Sequence, residues 1–151
     1  MVGSICSAGS TSLDFSAGND VFRASGRGSL YDKLEGIEKD GAKLCPFSHN
    51  NALLIRKFFP YAAPMRNTKY SVSIGLGDRL GIAGVGQLRA IEGRNVFPVL
   101  AQQSMRELKL TNRSYEEVLD AATWAVIKSG YKGGYGADGD HLKELKDIEY
   151  A

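Results

Sequence analysis

The sequence predicts an α/β chain whose parallel βα units gather their function on one rim of a sheet. Three observations carry that expectation. Short β-prone runs recur at residues 70–74, 95–100 and 135–140. Helical segments stand between them, the best defined running from Ser114 to a stop at Gly130. Each run also gives out into polar residues: Asp78 and Arg79 after the first, Gln102 and Gln103 after the second, Asp140 and His141 where the third ends. Strands alternating with helices bury both faces of a parallel sheet, and such sheets bind ligands at the carboxyl ends of their strands.

The bulk numbers fit one domain. A chain of 151 residues, 43% hydrophobic and 24% charged, has the composition of a soluble globular protein able to bury a core. Nineteen basic against seventeen acidic residues leave a formal charge of +2, with Lys and Arg scattered. That balance argues against nucleic acid and against an anionic membrane surface as partners. No apolar run is long enough to span a bilayer. The opening MVGSICSAGSTSLDF lacks the basic start and apolar core of a signal peptide, so a cytoplasmic home is expected. Cys6 and Cys45 stand far apart without CxxC spacing, which predicts neither a zinc site nor a disulfide.

Two regions differ in legibility. Residues 1–60 read as a poorly defined amino-terminal segment with one helix, and residues 61–151 as the βα units. Residues 1–28 are mostly Ser, Gly and Ala and read as irregular, with a few apolar residues, Leu13, Phe15, Val21 and Phe22, that could anchor a short strand or lie as an arm across something else. Gly36 and Gly41 limit any helix over 30–44 to a short one. Ser48 is placed to cap a helix over 49–59, with Leu53, Leu54 and Phe58 on one face and Pro60 as its stop. His49, on its first turn, reads as a surface group.

The run Tyr70-Ser71-Val72-Ser73-Ile74 alternates as a strand does and leads into GLGDRLGIAGVGQLRA at 75–90, its last part helical. Two phosphate motifs fail there. Leu80 stands where the third glycine of GxGxxG belongs, and Gln87 replaces the lysine of a P-loop, so nucleotide binding is rejected. Asp78 and Arg79 stand where the strand finishes, and their plainer reading is a salt bridge of little energy.

The second run carries Pro98 at an exposed start, then Gln102 and Gln103, then a helical turn through Met105 and Leu108. Ser114 and Glu117 have capping-box spacing, and Val118, Leu119, Ala122, Ala125 and Val126 follow on one apolar face. Lys128 suits the negative end of that helix, and Trp124 reads as packing. The third run ends in GYGADGDHLK at 134–143, where Asp138, Asp140, His141 and Lys143 stand close together among glycines. Carboxylate with imidazole is the kit for acid/base work or for binding a metal, and equally for a polar turn. Residues 142–150 read as a charged tail that opens a further helix.

The segments GLGDRLGIAGVGQLRA, PVLAQQSMRELKLTNRSYEEVLDAATWAV at 98–126 and GYGADGDHLK together resemble the tagaturonate/fructuronate epimerase family of hexuronate catabolism, over residues 70–143. The resemblance implies a metal-dependent sugar-acid epimerase on a TIM-barrel-like scaffold, with this chain its amino-terminal portion. It implies a keto-hexuronate substrate inverted at C4 by a retro-aldol route, in which a base takes the C4 hydroxyl proton and the C3–C4 bond opens and re-forms on the other face. A divalent metal cation would hold the enediolate. By the same resemblance Asp140 is the proton acceptor and His141 a metal ligand.

Asp78, Arg79, Gln102, Gln103 and Asp138 are the candidates for gripping the substrate, with Arg79 the natural partner of its carboxylate. Successive strand residues point to opposite faces, so Asp140 and His141 can serve one site only if the chain turns there. Where the family carries a Thr-Pro-Gly-His-like turn, this sequence has Gly84-Val85-Gly86-Gln87, which keeps hydrogen bonding without acid/base capacity. The chain alone is expected to turn over little substrate and to self-associate through open sheet edges. Two other readings remain: a non-catalytic sugar-acid or anion-binding module built on the 75–86 loop and Arg79, and a plain α/β domain with a polar turn.

Overall fold

A computed structural model describes residues 4–15 and 20–150, with the side chain of Asp140 outside the description. Two sheets of opposite kind share one core. The first is antiparallel and is built from β1 (Ser4–Ala8), β2 (Thr11–Phe15), β3 (Val21–Gly26), β4 (Ile37–Lys39) and β5 (Ala42–Pro46), in the spatial order β1-β2-β3-β5-β4. Among the described residues this replaces the irregular start expected over 1–28 with paired strands. The physical reason is visible in β2, where Thr11, Leu13 and Phe15 are buried while Ser12 and Asp14 between them are half-exposed. Small residues pair as well as large ones when every second position reaches the core. Between β3 and β4 lies only a short helix, α1 (Ser29–Lys33), as the glycines there require.

Asp40 and Gly41 join β4 to β5 with φ of 50° and 73°. Two left-handed residues in a two-residue loop make the turn whose twist matches paired strands. Ser48 then caps α2 (His49–Phe58), accepting from the Asn51 amide. α2 buries Asn51, Ala52 and Ile55 outright; of the expected Leu53, Leu54 and Phe58, the last two pack half-buried against the core while Leu53 is 48% exposed. Asn51 is wholly buried because its side chain is spent on the backbone, bonding the Glu35 amide and the Glu35 and Pro46 carbonyls.

The second sheet is parallel, as expected for the later half. It comprises β6 (Ser73–Gly75), β7 (Phe97–Ser104) and β8 (Gly136–Asp140), with β7 in the middle. α3 (Gly84–Ala90) follows β6, and α4 (Met105–Thr111) and α5 (Tyr115–Ser129) follow β7. β7 runs further than its sequence suggests, so Gln102 and Gln103 lie inside the strand rather than beyond it. Pro98 is buried in this central strand, correcting its expected exposed start. Both Ser104 and Ser114 close reciprocal capping boxes, with Glu107 and Glu117. α5 ends at Gly130 in the left-handed conformation, which costs glycine least. A short α6 (Leu145–Tyr150) occupies the charged tail.

The two sheets meet through α2 and α5. Trp124 of α5 packs 5.7 Å from Phe22 of β3 and 5.1 Å from Phe47, ring centre to ring centre, so its expected role in packing holds. Beside this cluster runs a polar chain. His49 and Arg56 of α2 flank Asp120 of α5 at 2.8 and 2.9 Å; Arg56 also donates to Thr123, and the Tyr135 hydroxyl donates to the Ala62 carbonyl. His49 is therefore a tie between helices. Cys6 and Cys45 are free thiols that burial pushes up to about 11. Among the described residues no helix is long and apolar enough to cross a membrane.

Candidate functional site

Parallel pairing puts the carboxyl ends of β6, β7 and β8 on one rim. The register sets Gly75 beside Val99, Gln102 beside Asp138, Gln103 beside Gly139 and Ser104 beside Asp140. The chain turns where β8 stops: His141 takes φ of 53°, a left-handed conformation uncommon for a non-glycine residue. The turn that would let consecutive residues address one site is thus present. Asp140 is seen through its backbone only. His141 is exposed.

On this rim the Gln102 Nε2 lies 3.4 Å from Asp138 Oδ2. Gln103, on the opposite face of β7, is 1% exposed, and neither its Nε2 nor its Oε1 has a hydrogen-bond partner. A buried amide in that state costs desolvation without return.

The loop after β6 is tightly built. Asp78 accepts from the Gly81 amide at 2.9 Å and the Ala83 amide at 2.6 Å, so its carboxylate shapes the turn. Arg113 donates to the carbonyls of Asp78 and Arg79 at 3.2 and 3.0 Å and clamps the loop onto α5. The Gln87 amide donates to the Gly77 carbonyl at 3.0 Å. Arg79 pairs with Glu107, not with Asp78, and this pairing holds the Glu107 carboxyl below its ordinary range. Even so Arg79 keeps a 73% exposed side chain over a depression of about 460 Å³ lined by Gly77, Asp78, Leu80, Ile82 and Glu107.

Glu107 and Arg113 escape the sequence reading. Glu107 has a signal, standing three residues after Ser104 as a capping box requires; Arg113 has none. A larger depression, about 650 Å³ between Phe47, His49, Trp124 and Lys128, is lined by none of the strand-end residues. Among the described residues no three His, Cys, Asp or Glu side chains converge as a metal needs.

A family profile described as tagaturonate epimerase matches residues 15–151, so the likeness reaches well back of residue 70. The tagaturonate/fructuronate epimerase of Thermotoga maritima is 44% identical over 121 residues, 80% of this chain and 25% of that protein. Crystal structures of the fructuronate-tagaturonate epimerase of Cohnella laeviribosi, native and with glycerol bound, superpose with a TM-score of 0.91 at 49% identity over 96% of this chain. The chain spans about 30% of the length of those solved relatives. With a profile matched over most of its length, the chain belongs to the tagaturonate epimerase family.

Proposed function

We propose that this chain supplies part of the active site of an enzyme that epimerises D-tagaturonate to D-fructuronate at C4. The observation that carries the reading is the left-handed turn at His141, directly after Asp140 and at the end of the strand whose Asp138 meets Gln102 of β7. Backbone held in a sparsely populated conformation often accompanies a functional site.

Asp140 takes the C4 hydroxyl proton. The C3–C4 bond then breaks, leaving an aldehyde at C4 and the electron pair on C3 as an enediolate conjugated with the C2 oxygen. Rotation of the aldehyde presents its other face, the bond re-forms, and Asp140 returns the proton. Asp138, with Gln102 at its side, binds substrate hydroxyls, and the exposed part of the Arg79 guanidinium meets the substrate carboxylate. Asp78 acts by fixing the loop that carries Arg79. Gln103 acts from the buried face of β7, its unsatisfied amide free for a partner from the rest of the enzyme.

We assign His141 to a divalent cation, whose chemistry would be Lewis-acid stabilisation of negative charge. The described side chains do not by themselves fit a catalytic metal, which ordinarily takes about three protein ligands. The scaffold we favour is a TIM-barrel-like one in which β6, β7 and β8 are consecutive strands. β6 is an outer strand exposed along its length, beside a 57% exposed Val72, which supports self-association of the chain alone. The anion-binding module is the weaker reading, because the Asp78 carboxylate already occupies loop amides an anion would need.

The test is a chimera in which this chain replaces the corresponding portion of the Cohnella enzyme, assayed with tagaturonate and a divalent cation. The chimera is expected to form fructuronate, Asp140→Asn to lose roughly a hundredfold or more in kcat, and His141→Ala to lose bound metal. The isolated chain is expected to show negligible turnover. A folded Asp140→Asn chimera with undiminished kcat overturns the reading.

A further inference from the structure

We propose that Gln102 is a positioning residue for Asp138, and that Gly75 is glycine to leave room for the Gln102 amide. The inference rests on the reading of the strand-end rim as the site. Gly75, Gln102 and Asp138 come one from each of the three parallel strands; Gly75 is the register partner of Val99, three residues before Gln102, so the Gln102 side chain reaches back along β7 to meet it. Gln102 and Asp138 are register partners, so their side chains leave the sheet from the same level. The Gln102 Nε2 donates to Asp138 Oδ2 at 3.4 Å.

On the other side, a Cβ built on Gly75 would lie 3.0 Å from both Cδ and Nε2 of Gln102 and closer still to Oε1. The approach to Oε1 is shorter than real Cβ atoms show, so a side chain at 75 makes the amide, the far end of a flexible side chain, move aside. The φ of Gly75 is not in the left-handed region, which removes backbone strain as the reason for a glycine. Clearance is what remains. The amide lies over the β6 backbone with its donor turned towards β8, and that engages one carboxylate oxygen of Asp138. The other oxygen is thereby aimed as an acceptor for a hydroxyl of a polyhydroxylated acid. Gln102 then touches substrate less than it orients the residue that does.

The experiment is a side-chain amide NMR measurement on the 151-residue chain, paired with a kinetic double-mutant cycle in the chimera. Gly75→Ala and Asp138→Asn are expected to move the Gln102 side-chain amide resonances, leaving those of Gln87 in place. In the cycle, Gln102→Leu is expected to lower kcat/KM up to about tenfold when Asp138 is present. It should have little further effect in the Asp138→Asn background. Circular dichroism confirms that each variant is folded, and Gln102→Asn serves if the leucine variant is not. Gln102 resonances indifferent to both substitutions, or fully additive kinetic losses, overturn the proposal. An Asp138→Asn chimera of full activity with coupled resonances instead sinks the functional reading while the geometry stands.

Discussion

Arg56 of α2 and Asp120 of α5 are joined at 2.9 Å, with only 13% of either side chain exposed. The pair ties the helix that covers the antiparallel sheet to the helix that covers the parallel one. Removing one member leaves the other charge poorly solvated. Asp120→Ala should therefore cost about 3–5 kcal/mol in urea unfolding, whereas Arg56→Met with Asp120→Leu together should be much closer to neutral. His49→Ala removes a contact whose histidine is 43% exposed and should cost about 1 kcal/mol or less. Equal losses from the Asp120 and His49 variants would mean that the buried pair carries no special weight.

Gln103 gives the opposite sign. Its amide is buried with donor and acceptor both unsatisfied, so a leucine of similar size removes a desolvation cost without opening a cavity. Gln103→Leu should stabilise the isolated chain by about 1–2 kcal/mol. The same change in the chimera should lower activity, as is common where a destabilised residue is kept for function. A destabilised leucine variant would show that the amide is already paired.

How much of this was legible follows from particular residues. The Ser114–Glu117 box and the Gly130 stop define α5 from sequence, because capping and termination are local chemistry. The parallel half follows for the same reason: helix and strand signals alternate there. β1 to β5 were legible at most as one short strand near Leu13, Phe15, Val21 and Phe22, since their pairing partners lie across the sheet and their apolar residues are few. Asp40-Gly41 is the exception. The dipeptide is a strong hairpin signal between two short strands, yet read alone Gly41 only limits a helix.

The site was legible at the level of residue type and not of partner. Asp78 and Arg79 are adjacent, but one is spent on loop amides and the other on Glu107, in a helix 28 residues further on. Only tertiary packing decides such partners. The turn at His141 was foreseeable as a requirement, and Gly139 with the strand's end made it possible.

Two glycines with open space around them separate backbone strain from packing. A methyl group at Gly41 or at Gly86 meets nothing within 4 Å. Gly41 has φ of 73°, so Gly41→Ala should destabilise by about 1 kcal/mol through conformation alone. Gly86 lies inside α3 without a positive φ, so Gly86→Ala should stabilise by about 0.5–1 kcal/mol. Thermal unfolding of the two variants reads both, and shifts of the same sign would contradict the assignment.

Glu107 makes the last prediction, on acid stability. The hydrogen bond from Arg79, helped by the Ser104 amide, holds its carboxyl below the ordinary 4.5. Between the folded and unfolded values the unfolded chain binds more protons, so stability rises with pH across that window. The contribution is fully present above about pH 4.5 and is lost as pH falls through the folded-state value. Glu107→Gln keeps a side chain able to close the capping box while deleting the titration. Urea unfolding from about pH 3 to about pH 7 should show a flatter acid limb for Glu107→Gln, and for Arg79→Met, than for the parent. The limb should not vanish, because Ser48 and the Lys143 amide depress Glu35 and Asp147 in the same sense. An unchanged slope in both variants would mean that the Arg79–Glu107 pair is screened by water.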